Sequence, residues 1–159
     1  MNLYTVAFFG HRYIDEDAVI EGKLNDYIRQ LLQEKEFVDF LIGRNGDFDQ
    51  LVASTVRRAK KHYRDDNSSL ILVLPYKTAE FSENQEGYAD YYDCVEVSEK
   101  AARVFPKNAI QTRNREMIDR ADLVIFYVEH QSGGAYQSLR YALKRGKRVI
   151  NLCEKSEIK

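Results

Sequence analysis

Short hydrophobic runs alternate along the chain with longer stretches in which hydrophobic residues recur every three or four positions. The runs are residues 3–9, 37–42, 70–74, 123–128 and 148–152, with a weaker one at 93–97. Runs of this length predict buried strands, whereas the spacing of Leu24, Ile28 and Leu31, and of residues 51–59, predicts helices. The alternation predicts an α/β protein with a Rossmann-like, three-layer α/β/α fold and a mostly parallel sheet of about five strands.

Local signals support this division into elements. Asp47 and Gln50 have the spacing of a capping box at the start of the second helix, and Gly146 stands where a glycine would end the last one. A length of 159 residues suits one hydrophobic core. Without a repeat or linker in the sequence, we expect a single domain over residues 1–159.

Composition narrows the possible functions. The chain has 24 basic and 25 acidic residues and a net charge of −1, which argues against broad nucleic-acid binding. No membrane-spanning stretch or signal peptide is evident, so we expect a cytoplasmic protein without a membrane partner. Cys94 and Cys153 lie far apart in the sequence, which favours reduced cysteines and no metal site. The G-x-G-x-x-G fingerprint is absent after the first strand, and no cofactor is predicted.

Glycine and polar residues follow several of the predicted strands. Ligands of open parallel sheets bind beyond the carboxyl ends of the strands, so these positions are the candidate ligand-binding residues. They are Gly10, His11 and Arg12 after the first strand, Gly43, Asp47 and Asp49 after the second, and Ser132, Gly133 and Gly134 after residues 123–128.

The diglycine predicts an anion site. Gly133 and Gly134 lack a Cβ atom, so their N–H groups and the start of the next helix can close on a phosphate. Arg12, Arg113 and Arg115 could supply the opposing charge. A tight turn without a ligand remains the alternative explanation for the glycines.

Other candidate residues also have two interpretations. His11 is a proton-transfer group or a hydrogen-bonded histidine at a strand end. Asp47 and Asp49 bind a ligand or only favour the start of a helix. The tyrosines of the segment between the third and fourth strands either stack on a base or pack one face of a helix; these are Tyr88, Tyr91 and Tyr92.

Five segments together resemble a known superfamily. They read F-F-G-H-R at 8–12, G-R-N-G-D-F-D at 43–49, L-I-L-V-L-P at 70–75, R-N-R-E-M-I-D-R-A-D at 113–122 and S-G-G-A-Y at 132–136. In order and spacing the chain resembles the SLOG superfamily, which joins the LOG phosphoribohydrolases to DprA-type proteins, and within it the small bacterial YpsA-like branch. The resemblance implies binding of a nucleotide or nucleotide-derived ligand over the strand ends, commonly in a homodimer.

The chain departs from the LOG enzymes at positions that matter for catalysis. Their R-K-x-x-M and P-G-G-x-G-T-x-x-E motifs correspond to residues 113–117 and 132–140, with Asn114 in place of the lysine and Arg140 in place of the glutamate. Cleavage of an N-glycosidic bond develops positive charge on the ribose, which a carboxylate stabilises. Hydrolysis would require another carboxylate, and the candidates are Glu129, Asp47 and Asp49.

The sequence therefore predicts a domain that senses or sequesters a nucleotide or its derivative, rather than an enzyme. The N–H groups of residues 132–135 would take the phosphate, Arg12 and Arg113 would neutralise it, and Asn114 or Asp49 would fix the sugar. The first alternative is a nucleoside-phosphate N-glycosidase or related transferase. The second is a protein-interaction module with a vestigial pocket.

Overall fold

Six parallel strands form one sheet in residues 2–153, the part of the chain described by the structure, which is a computed structural model. The strands are β1 (Leu3–Gly10), β2 (Phe37–Ile42), β3 (Ser68–Leu74), β4 (Cys94–Val97), β5 (Leu123–Tyr127) and β6 (Arg148–Asn151). Their order across the sheet is β4-β3-β2-β1-β5-β6. The predicted fold class is confirmed, and the weaker run forms β4 at one edge.

Helices cover both faces of the sheet. They are α1 (Asp17–Glu34), α2 (Asp47–His62), α3 (Ala79–Glu83), α4 (Gln85–Tyr91), α5 (Glu99–Ala102), α6 (Pro106–Arg120) and α7 (Gly134–Lys144). The core beneath one face includes residues of α1, α2 and α4, and the core beneath the other includes residues of α6 and α7. None of the described helices has the length and apolar character that a membrane span requires.

The alternation of side chains in β1 shows how one strand serves two cores. Val6 and Phe8 pack with α1 and α2, whereas Ala7 and Phe9 pack with the helices of the opposite face. Successive residues of a strand point to opposite faces, so a strand between two helical layers must be apolar throughout. This explains why the central strands are continuous hydrophobic runs in the sequence.

The strand order reverses between β1 and β5. From β1 the chain builds the sheet outward through β2, β3 and β4, and it then returns to place β5 on the other side of β1, with Gly10 opposite Tyr127. The loops after these two strands therefore diverge to opposite faces and leave a crevice at the carboxyl edge, where open α/β sheets bind ligands.

One of the two helix-end predictions is wrong and the other is confirmed. Gly46, rather than Asp47, is the N-cap of α2, and no side chain caps it; the Asp47 carboxylate instead accepts a hydrogen bond from the N–H of Ile14 at 3.3 Å. Gly146 does follow α7 in a left-handed conformation (φ 71°), and its N–H donates to the carbonyl of Leu143 at 3.1 Å. The last helix therefore ends as its sequence predicts.

Candidate functional site

A pocket of about 360 Å³ lies in the crevice between β1 and β5. Its walls are the loops after β1 and β2, the first half of α6 and the start of α7. It brings together the predicted residues Gly10, His11, Arg12, Gly43, Asp49, Arg113, Asn114, Gly133 and Gly134. Ser132 and Asp47 are not part of its lining. Ala135, whose N–H group was predicted to contact the phosphate, also lines the pocket, and the lining residues that were not predicted are Phe9, Asn45, Ile110 and Gln111.

Two of the glycines are required by close packing. A Cβ atom at Gly10 would lie 2.3 Å from Cγ of Phe48, far inside van der Waals contact. A Cβ atom at Gly43 would lie 3.0 Å from Nη1 of Arg113. Because these glycines have no side chain, α2 and the Arg113 side chain can approach the strand ends. Their close approach determines the shape of the pocket.

The start of α7 opens onto the pocket. Gly133 is its N-cap with φ of 91°, a conformation that favours glycine, and no side chain caps the helix. The N–H groups in the first turn of a helix have no acceptor within the helix. The helix dipole adds partial positive charge at the same place, so this terminus can bind an anion.

Arg113 is a buried part of the pocket wall. Its side chain is 2% exposed, its Nη1 donates to the carbonyl oxygen of Val73 at 2.6 Å, and its Nε donates to Oδ1 of Asn114 at 2.9 Å. Burial lowers the pKa of Arg113, and the charge of Asp49 partly opposes this effect. The two hydrogen bonds fix the guanidinium in place without a ligand.

Asn114 connects the two helices that frame the pocket. Its Oδ1 accepts from Arg113, and its Nδ2 donates to Oγ of Ser138 on α7 at 3.2 Å. Both ends of the amide are thus engaged within the protein. In this arrangement Asn114 holds Arg113 and α7 in place, which differs from the predicted sugar contact.

The three candidate catalytic carboxylates occupy different environments. Asp49 lines the pocket, is 9% exposed and accepts a hydrogen bond from the N–H of Asn45 at 2.9 Å; burial raises its pKa, opposed by that bond and by the Arg113 charge. Asp47 lines a neighbouring cleft. Glu129 is not part of the pocket lining, and its Oε1 lies 3.9 Å from Nε2 of His130.

His11 is a hydrogen-bonded histidine at a strand end. Its Nε2 accepts hydrogen bonds from the backbone N–H groups of Glu129 at 2.7 Å and His130 at 3.2 Å. The backbone N–H of His11 donates to the carbonyl oxygen of Tyr127 at 3.3 Å. Burial lowers the pKa of His11, the charge of His130 lowers it further, and Glu129 raises it.

The other arginines of the region differ in their relation to the pocket. Arg12 lines it and is exposed, and its carbonyl accepts from the N–H of Asp47 at 2.7 Å. Arg115 instead lies over the ring of Tyr141, 5.3 Å from its centroid, outside the pocket lining. Arg140 is also exposed and outside that lining. Among the residues that the structure describes, Arg12 is therefore the accessible cation of the pocket.

A larger cleft of about 630 Å³ adjoins the pocket between α2 and α4. Its arginine, Arg44, is already paired with Glu80 at 3.3 Å and donates to Oη of Tyr92 at 2.9 Å. Tyr88 and Tyr92 are each 4% exposed, so they pack into the core rather than offer open rings. The smaller pocket is the stronger candidate, because its helix terminus and Arg12 face open space.

Comparison with known proteins shows the fold. No protein-family model and no curated protein sequence matches the chain. Solved structures do match, among them DNA processing protein A (DprA) from Streptococcus pneumoniae, with a TM-score of 0.66 and 18% identity over 92% of this chain. Another is DNA processing protein A from Helicobacter pylori, with a TM-score of 0.63 and 17% identity over 92% of this chain.

The chain thus has a DprA-like Rossmann fold, as the resemblance to the SLOG superfamily implied. It spans 49% of the S. pneumoniae protein and 63% of the H. pylori protein, so each of these is a longer chain. At these identities the similarity concerns the fold alone. The YpsA-like branch and the homodimer stay predictions.

The exclusion of broad nucleic-acid binding is wrong. It rested on the net charge of the whole chain, yet the H. pylori protein, which shares this fold, is described by its single-stranded DNA binding mode. A balanced total charge does not prevent a local pocket from carrying positive charge. Nucleic acids therefore remain among the ligands to be tested.

Proposed function

We propose that the pocket between β1 and β5 binds the phosphate group of a nucleotide or nucleotide-derived ligand in the cytoplasm. The observation that carries this proposal is the meeting, in one pocket, of the uncapped start of α7 with the exposed Arg12 and the fixed Arg113. Each is a positive electrostatic feature, and together they suit an anion with several acceptor oxygens. The protein would sense or sequester this ligand.

Each group has a distinct part in this proposal. The N–H groups at Gly134 and Ala135 donate to phosphate oxygens, because the first turn of α7 leaves them without helical acceptors. Arg12 closes on the anion from the rim. Arg113 contributes a fixed positive field from the wall, since its hydrogen bonds to Val73 and Asn114 hold it in place. Asn45, Asp49 and Gln111 are further polar residues of the lining that could contact a sugar.

The test measures stabilisation by matched ligands. Nucleoside monophosphates, the corresponding nucleosides and inorganic phosphate are added separately, and the melting temperature is recorded. A nucleotide at about 100 times its Kd should add about 2.7 kcal/mol to the free energy of unfolding, and its nucleoside much less. Equal stabilisation by nucleotide and nucleoside would contradict a phosphate anchor.

Two exposed arginines provide a matched pair of variants. Arg12→Ala removes the accessible cation of the pocket and should weaken nucleotide binding about tenfold or more. Arg115→Ala removes a cation of the same charge that lies over Tyr141, outside the pocket lining, and should leave binding unchanged. Equal losses in both variants would indicate general electrostatic attraction rather than this site.

The phosphodiester backbone of single-stranded DNA offers the same anionic group. The H. pylori protein that shares this fold is described by its single-stranded DNA binding mode, so a short oligonucleotide belongs in the ligand panel. Binding of the oligonucleotide that Arg12→Ala abolishes would assign the pocket to a polymer. Binding of mononucleotides alone would assign it to a small molecule.

A second candidate function is N-glycosidic cleavage. Asp49 favours it, because this carboxyl group lines the pocket, whereas Arg140 stands at the position of the LOG-type glutamate and lies outside the lining. An assay for free base and ribose phosphate tests it. Release that disappears in Asp49→Asn while the nucleotide still binds would establish the hydrolase; release unchanged in that variant would remove Asp49 as the catalytic carboxylate.

A further inference from the structure

His11 joins the loops that follow β1 and β5. Residues 128–133 form the loop between β5 and α7, and this loop leads directly into Gly133 and the start of α7. Two consecutive N–H groups of the loop, from Glu129 and His130, both point to Nε2 of His11, at 2.7 and 3.2 Å. One side chain of the pocket thus fixes the backbone that precedes the anion site.

These hydrogen bonds require a neutral imidazole. An imidazole nitrogen accepts a hydrogen bond only when it carries no proton, so the proton of neutral His11 is on Nδ1. A proton added to Nε2 would face two N–H donors and remove both bonds. The ring of His130, whose centroid is 4.7 Å from that of His11, would add repulsion if it were also charged.

We propose that His11 is a positioning residue, which in its neutral form holds the β5–α7 loop so that the first N–H groups of α7 are oriented toward an anion. Protonation of His11 releases the loop and weakens anion binding. This inference rests on the proposed function, because it assigns a proton-linked control to the same pocket. The class of ligand it concerns is a phosphate or other oxyanion.

The sign of the pH effect separates this role from direct contact. A histidine that contacts the anion as a cation would strengthen binding as the pH falls through its pKa, because its positive charge then appears beside the ligand. A histidine that acts through the loop weakens binding over the same range. The two roles therefore predict opposite slopes, although both place His11 in the pocket.

Other charged or titratable side chains surround His11, and the experiment must account for them. They are Arg12, Asp49, Arg113, Tyr127, Glu129 and His130. Asp49 has a raised pKa and His130 is a second imidazole, so these two could add a pH effect of their own. The arginines keep their charge over the range used, and the raised pKa of Tyr127, about 12, lies far above it.

Sulfate is the first probe, because its charge is constant between pH 4.5 and 8, unlike that of a phosphate monoester, and the range must extend well below 6.5 since the pKa of His11 is lowered. The affinity for sulfate is measured across this range by calorimetry. Binding linked to one proton should weaken by up to about tenfold per pH unit below the pKa of His11. Tighter binding at low pH, or no dependence on pH, would overturn the proposal.

Variants assign the effect to one residue. His62 is exposed at the end of α2, so His62→Gln is the matched control and should keep the wild-type dependence of affinity on pH. His11→Gln places an amide oxygen near the position of Nε2. Its affinity for sulfate at pH 7.5 should therefore stay within about threefold of the wild type, while the dependence of affinity on pH disappears. His11→Leu should bind about tenfold more weakly at every pH. A slope that persists in His11→Gln but vanishes in Asp49→Asn would assign the effect to Asp49 and overturn the proposal.

A ligand-free measurement distinguishes failure of this inference from failure of the proposed function. Amide hydrogen exchange of residues 129–135, corrected for intrinsic pH dependence, should accelerate about tenfold as His11 is protonated, and His11→Leu should show the faster exchange at pH 7.5. If sulfate and nucleotides fail to bind but exchange behaves as stated, the proposed function is wrong and the loop contact stands. If ligands bind but the exchange rate changes neither with protonation of His11 nor in His11→Leu, the positioning role is wrong.

Discussion

Arg113 and Val73 are joined by a hydrogen bond of 2.6 Å, from Nη1 in the middle of α6 to a carbonyl oxygen near the end of β3. The contact crosses from a helix layer to the sheet, and the guanidinium it fixes also approaches Gly43 at the end of β2. A charged side chain with 2% exposure is thereby held against two strand ends. The charge that could attract a ligand is also a part of the folded core.

Replacing Arg113 should therefore destabilise the protein. Arg113→Met removes the donor to the Val73 carbonyl and the positive charge near the buried Asp49, which should cost about 3 kcal/mol in a urea denaturation experiment. Arg115→Met changes a surface arginine on the same helix and should stay within about 0.5 kcal/mol of the wild type. Similar stabilities for the two variants would show that the buried bonds of Arg113 contribute little.

Two glycines should respond in opposite ways to substitution by alanine. At Gly10 the new Cβ atom would collide with Phe48, so Gly10→Ala should lose about 1–3 kcal/mol. At Gly22, in α1, no atom of residues 2–153 lies within 4 Å of the new atom, and Gly22→Ala should gain about 0.5–1 kcal/mol from helix propensity. Thermal or urea unfolding measures both. Adding Phe48→Ala to Gly10→Ala should make the two changes less than additive; strict additivity would exclude the steric explanation.

Removing the carboxylate of Asp49 should strengthen anion binding. Asp49→Asn keeps an oxygen to accept from the N–H of Asn45 but removes a negative charge that shares the pocket with Arg12 and Arg113. Because burial raises the pKa of Asp49, the comparison is made at a pH at which this carboxylate is ionised, and affinity for sulfate should there increase about threefold to tenfold by calorimetry. Weaker binding would indicate that the region depends on the carboxylate for its shape.

The lowered pKa of His11 predicts how stability depends on pH. The unfolded chain binds a proton at His11 near the ordinary value of 6.5, whereas the folded protein does so only at lower pH. Protons therefore favour the unfolded chain, and the contribution of His11 to stability, complete above pH 6.5, decreases as the pH falls toward the folded pKa. Urea midpoints measured between pH 5 and 8 should show this decrease, and His11→Gln should reduce it. A decrease of equal size in that variant would assign it to other groups.

The fold could be predicted from the sequence because its strongest signal is local. Each central strand is buried on both faces and is therefore a hydrophobic run, and β5 was predicted to within one residue of its observed end. The short helices α3 and α5 gave no such signal, since α3 has no buried residue and α5 has only Ala101. Elements that contribute little to the core leave little pattern in the sequence.

The position of Arg113 shows how the site could have been predicted more accurately. Ala109, Arg113 and Met117 are four residues apart, so they lie on one face of α6, and the apolar members mark that face as buried. Similarly, Asp47 and Asp49 are separated by about 200° around α2, which sends them to different surroundings. Helical periodicity applied to the charged residues would have separated these roles. The partner of His11 could not be predicted, because the two loops meet only in the folded chain.

The shortness of the edge strands has a consequence for assembly. β4 and β6 border the sheet, and each has four residues, compared with eight in β1. Each open edge offers few unpaired backbone groups to the strand of another molecule, a device that limits aggregation in natural sheets. If two copies associate as the resemblance implies, we expect them to do so through helix surfaces. The sheet itself would then stay the same in monomer and dimer.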